Sequence, residues 1–232
     1  MKTLLSTAFF FAATATLMAG TQNIYVEDWG TTNGGTSVTG NGNFDTVGWA
    51  AAAVSQTAGP YLGIYAATGA SDPGTGAALP VNTVYFTGLL PSQTSPGMFY
   101  TTDALGAGSG GDSSFTDINP ANYTNLAINV EIMDRSTDDT NYFAVQVGGS
   151  WYVATSFPLP YDTALGYPEF TNVTLIYTNP ANVWKSLTVS STSVTIGAVA
   201  TPNLTSPITG VGIVELPTSN GANYNELTIT AY

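Results

Sequence analysis

Fifteen carboxylates, with no histidine and no cysteine, set the chemistry open to this 232-residue chain. Without imidazole or thiol there is no Ser-His-Asp hydrolysis, no thiolate nucleophile and no ordinary zinc or iron site. Acid–base work would fall to two carboxylates flanking a glycosidic bond. The candidates run from Glu27 and Asp28 through Glu131, Asp134, Asp138, Asp139, Asp162 and Glu169 to Glu215 and Glu226. No spacing in the sequence pairs any two of them across a cleft. The chain is therefore expected to be non-enzymatic, with a glycan-active enzyme using a carboxylate pair as the third-ranked reading.

Carboxylates also bind hard cations, which want several oxygens at once. "YVEDW" near the start and "NYNEL" near the end are strand-like, and terminal strands often neighbour each other in β-sandwiches. Glu27, Asp28 and Glu226 would then form a structural calcium site. No other cofactor is indicated.

Aromatic residues offer a different chemistry, because exposed Trp and Tyr faces stack on the apolar side of a sugar ring. Of the four tryptophans, Trp29 and Trp49 sit in apolar contexts that predict core, and Trp184 opens a strand after a turn and suits either role. Trp151 belongs to "NYFAVQVGGSWYV", in which two alternating runs flank Gly148-Gly149 as in a two-residue β-hairpin. That turn sets Val147 opposite Ser150, Gln146 opposite Trp151, Val145 opposite Tyr152 and Tyr142 opposite Thr155. Alternation then gives Phe143, Val145, Val147, Tyr152 and Ala154 one face, predicted to be core. Tyr142, Ala144, Gln146, Trp151 and Val153 share the other. An unpaired buried amide costs about 1–3 kcal/mol, so Gln146 argues that this second face is the outer, concave wall. Trp151, Tyr142 and Gln146 are the predicted ligand-binding residues.

Positioning such a hairpin requires sheets, and the chain supplies thirteen strand-like runs. They are "QNIYVEDW", "VGWAAAAV", "YLGIYAA", "NTVYFTGL", "GMFYTT", "LAINVEIMD", "YFAVQV", "WYVATSF", "FTNVTLIYT", "SLTVS", "SVTIGAV", "ITGVGIVEL" and "YNELTITAY". Each is β-branched or aromatic and bounded by turn residues, with no sustained helical period. Such a pattern predicts an all-β, antiparallel β-sandwich of the jelly-roll kind. The long irregular stretch Asp103–Asn122 should cross between sheets or cover one end. One lysine, an apolar run and then small residues mark 1–20 as a signal peptide, leaving 21–232 as a single domain. Export to the cell exterior or surface follows, and no later run is long enough for a membrane span.

The formal charge is −12, and loss of Lys2 with the signal would leave Arg135 and Lys185 as the only basic residues. Nucleic-acid binding, which needs several phosphate contacts, is excluded on that count. Charged residues make up 8% of the chain, so the surface must be largely Thr, Ser, Asn and Gly.

The succession "YLGIYAATGASD", "ALPVNTVYFTGLLPSQTSPGMFYTTD", "YFAVQVGGSWYV" and "ITGVGIVELPTSNGANYNELTITAY" resembles secreted jelly-roll proteins of unknown function from Verrucomicrobia-type bacteria. Those proteins often end in a PEP-CTERM sorting segment. The resemblance implies a sandwich distantly like concanavalin-type lectins and carbohydrate-binding modules. This chain departs from the pattern at Tyr232, with no Pro-Glu-Pro, apolar helix or basic cluster. The function expected is binding or organising extracellular polysaccharide. Its rival is a self-assembling extracellular fibre or surface-layer subunit, using the strand-like ends "QNIYVEDW" and "NELTITAY" for edge-to-edge or donated-strand contacts.

Overall fold

The structure is a computed structural model that describes residues 21–27, 48–53, 62–67, 83–88, 96–105, 114–134, 140–159, 171–177, 183–201, 203–216 and 222–232. Among these residues thirteen strands occur, in the order β1 (Gln22–Glu27), β2 (Ala50–Ala52), β3 (Leu62–Ala67), β4 (Thr83–Gly88), β5 (Gly97–Thr102), β6 (Leu126–Asp134), β7 (Thr140–Val147), β8 (Ser150–Leu159), β9 (Thr171–Tyr177), β10 (Lys185–Val189), β11 (Val194–Val199), β12 (Ile208–Leu216) and β13 (Ala222–Ala231). Every strand-like run of the sequence supplies one of them. They form two antiparallel sheets, a β-sandwich as expected. One runs β3-β4-β13-β6-β9 with β1 also on β13, and the other runs β11-β10-β8-β7-β12-β5-β2. Among the described residues no helix is long and apolar enough to cross a membrane.

β13 is the axis of the six-stranded sheet. One of its edges pairs with β6, and the other is shared by β4, opposite Ala222–Tyr224, and β1, opposite Leu227–Ala231. The two terminal strands are neighbours, as the calcium idea required. With partners on both sides, β13 has no free edge within its own sheet.

Between the sheets lies one apolar core. Phe99, Phe143, Val145, Val211 and Ile213 come from the seven-stranded sheet, and Ile128, Val130, Tyr224, Leu227 and Ile229 from the other. The connection after β5 crosses from one sheet to the other and inserts Phe115 and Ile118 into this core. Ile118 exchanges two backbone hydrogen bonds with Ile208, at 2.9 and 2.8 Å. That stretch thus plugs the space between the sheets. Side-chain hydrogen bonds span the sandwich as well. Trp49, just before β2, donates its indole N–H to Glu27 Oε2 of β1 at 2.7 Å, and Tyr224 of β13 donates its hydroxyl to Glu215 Oε1 of β12 at 2.7 Å.

The predicted hairpin is present. Gly148 and Gly149 have φ of 58° and 79°, the two positive values that a tight type I′ turn demands and that glycine adopts without steric penalty. The pairs Val147–Ser150, Gln146–Trp151 and Val145–Tyr152 form as expected. Farther from the turn the register slips between Tyr142 and Ala144, so Tyr142 lies opposite Pro158 instead of Thr155. Extra residues on β8 are taken up in this bulge. Pro158 lacks the N–H a regular ladder would need, which suits an irregular stretch of a strand.

Candidate functional site

Alternation along the seven-stranded sheet divides its side chains as the hairpin register requires. Phe143, Val145, Val147 and Ala154 lie in the inter-sheet core, with Tyr152 packed against it. The opposite, far face carries a second apolar cluster: Ala52, Met98, Ala144, Val153, Leu187, Val194 and Val214 are buried in it. The half-buried Tyr100, Tyr142, Trp151 and Leu216 pack against that cluster. Trp151 and Tyr142 are therefore on the far face, and Gln146, also half-buried, alternates onto it.

Trp151 owes its seat to glycine. The cross-strand row that starts at Trp151 runs through Gln146 to Gly210 and on to Thr102. A Cβ at Gly210 would lie 2.7 Å from the Thr101 carbonyl oxygen and 3.2 Å from Trp151 Cη2. The indole thus reaches from β8 over β7 to the glycine floor of β12. In the next row, Gly212 leaves space filled by Met98 Cε and Tyr100 Cβ, which a Cβ there would meet at 2.8 and 2.9 Å. Tyr100, from β5, meets Trp151 edge-to-face, with ring centroids 5.3 Å apart and planes at 69°. Aromatic pairs prefer this arrangement because a ring's positive edge meets its partner's negative face.

Gln146 is held in place. Thr209, at a register slip in β12, donates its hydroxyl to Gln146 Oε1 at 2.7 Å. The carbonyl end of the amide is engaged by the protein, and its NH2 end is a pair of donors beside the aromatic rings. Lys185 lies opposite Val153 and alternates onto the same face. Among the described residues, the far face therefore combines half-buried aromatic rings, an anchored amide and one cation around the fully buried Met98, Ala144, Val153 and Val214.

The acids are arranged differently. Glu27 is buried, and its Oε2 also accepts from the Tyr25 hydroxyl at 3.1 Å. Burial, and next the Glu27 charge, push the Tyr25 phenol well above its ordinary value of 10.0. Glu27 lies opposite Leu227, the neighbour of the half-buried Glu226. Asp28, like Trp29, lies outside the described residues. Among the described residues no group of three acids is gathered closely enough to hold a metal. Trp184 is resolved as core: it is buried and packs at 5.6 Å against Tyr177, and Trp49 is buried as expected.

Tyr100 and the two glycines escaped sequence reading. β5 and β8 are far apart in the chain, and nothing local shows that they share a face. The alternating glycines of "ITGVGIVEL" were the available signal, since glycine inside a strand marks a close approach. No protein-family model matches the chain, and no curated protein matches it. Among solved structures, the CBM2 module of the Lactobacillus casei BL23 phage J-1 evolved Dit is similar at 12% identity over 91% of this chain and 96% of that one. Its TM-score is 0.36, so the likeness assigns neither a family nor a ligand.

Proposed function

We propose that this is an exported, non-enzymatic β-sandwich that binds or organises extracellular polysaccharide on the far face of its seven-stranded sheet. The observation that carries the reading is Trp151, half-buried across Gly210 with the anchored amide of Gln146 beside it. Trp151 and Tyr142 supply apolar ring faces and Gln146 supplies donors for sugar hydroxyls, the combination that sugar sites use.

Affinity gel electrophoresis of the 21–232 protein over a panel of polysaccharides tests the proposal. At least one glycan should retard the protein, and Trp151→Ala should relieve the retardation while the variant still unfolds cooperatively. Equal retention of both proteins, or none on any glycan, overturns it.

Assembly into a fibre or surface layer is the second reading, and the edge strands favour it. β9 and β11 end their sheets without one charged residue or proline, the usual guards of an edge, and they expose Ile176 and Val199. Negative-stain microscopy decides: ordered filaments support assembly, and dispersed monomers at high concentration oppose it.

A further inference from the structure

We infer that the far face takes a single, soluble, uncharged polysaccharide chain and not the flat face of an insoluble glycan; this rests on the proposed glycan-binding reading of that face. The first ground is the angle between the rings. Trp151 and Tyr100 stand at 69° to one another with centroids 5.3 Å apart. Two rings so inclined cannot both lie parallel to one plane. A crystalline glycan presents coplanar sugar rings, so such a surface would use one aromatic and be held off by the other. A single chain has no such constraint. One sugar lies on the indole, and the chain turns so that a neighbouring unit meets the tyrosine ring.

Gln146 fits the same occupant. Its carbonyl oxygen is fixed by Thr209 at 2.7 Å, which aims the NH2 donors without further ordering. A hydroxyl at the rim of a sugar stacked on Trp151 is the acceptor within reach of that side of the hairpin, since Gln146 and Trp151 are cross-strand partners.

Charge sets the third term. The chain carries a formal −12, and among the described residues Lys185 is the cation that alternates onto this face. One lysine cannot balance the regular charge of a uronate or sulfated polymer. The protein's own field repels such a polymer within a Debye length of about 8 Å at physiological salt. Neutral glycans escape that penalty.

The test uses the 21–232 protein on three supports: soluble neutral chains (mixed-linkage β-glucan, xylan, galactomannan) in affinity gels, soluble acidic chains (alginate, polygalacturonate) in the same gels, and pull-down on crystalline cellulose and chitin. Retention by a neutral soluble chain, with little on the other supports, is the expected result. Tyr100→Ala should then weaken it about threefold to tenfold, the equivalent of one aromatic contact. Retention only on acidic chains, or only on crystalline solids, overturns this inference and leaves glycan binding standing. No retention on any support overturns both. The wild-type panel alone distinguishes these outcomes, whether or not Tyr100→Ala folds.

Discussion

Trp49 and Glu27 meet at 2.7 Å across the sandwich, an indole N–H on a buried carboxylate, with the Tyr25 hydroxyl on the same oxygen at 3.1 Å. A buried charge is tolerated only where donors surround it. Trp49→Phe removes this bond, and with it the longer one that the same N–H gives the Tyr25 hydroxyl at 3.2 Å, and keeps most of the packing. It should cost about 1.5–3 kcal/mol, the value of a hydrogen bond to a charged group. Denaturant unfolding of the two proteins measures it, and an unchanged midpoint would show that Glu27 is stabilised by other means.

Alkaline pH should unfold the protein through its tyrosines. Burial raises the phenols of both Tyr25 and Tyr177 above 10.0, so both stay protonated in the folded chain while the unfolded chain ionises. Their contribution is complete below pH 10 and declines from there towards the higher folded values. The slope should approach about 1.4 kcal/mol per pH unit for each group. Tyr177→Phe should lessen the slope by one proton. Stability that is level from pH 9 to 11 would rule the effect out.

Asn141 breaks a rule that Gln146 keeps. It is buried on the core side of β7, opposite Glu215, and neither end of its amide has a hydrogen-bond partner. Asn141→Leu should stabilise the fold by about 1–3 kcal/mol, the cost of the unmade bonds. A lower melting temperature in this variant would mean that the amide serves the native state.

Gly210→Ala should push a methyl group against the Thr101 carbonyl and the rim of Trp151, destabilising the protein by about 1–3 kcal/mol. Trp151 should be displaced with it, so glycan retention should fall as well. Wild-type stability and retention together would remove the glycine seat from the description of the site.

For calcium, the expected ligands are Glu27, Glu226 and Asp28, the last outside the described residues, and Glu27 Oε2 already accepts two hydrogen bonds. Millimolar Ca²⁺ should raise the melting temperature, EDTA should reverse the rise, and Glu226→Ala should abolish the difference. Coincident curves would eliminate this site.

Local signals in the sequence were dependable where they were strong. "GMFYTT", "LAINVEIMD" and "ITGVGIVEL" match β5, β6 and β12 residue for residue, because turn residues bound each run. Gly148-Gly149 fixed the hairpin and with it the division of faces. The slip at Tyr142 went unread although Pro158, opposite it, was an available mark, since proline inside a strand belongs to an edge or a bulge. Tyr100 was hidden for a different reason. Strand order in the seven-stranded sheet is not chain order, and only that order brings a residue of β5 to the rim of one from β8.

The central place of β13 has a consequence for how the chain is made. Remove Ala222–Ala231 and the six-stranded sheet falls into a β3–β4 pair, a β6–β9 pair and an isolated β1. A ribosome delivers this strand after all twelve others, so vectorial folding during synthesis cannot complete either the sheet or the core it covers. Folding must wait until Ala231 has been made and then close contacts far apart in sequence, a slow kind of search. In the exported reading proposed above, that delay keeps the chain loose enough to be threaded outward before it becomes a sandwich.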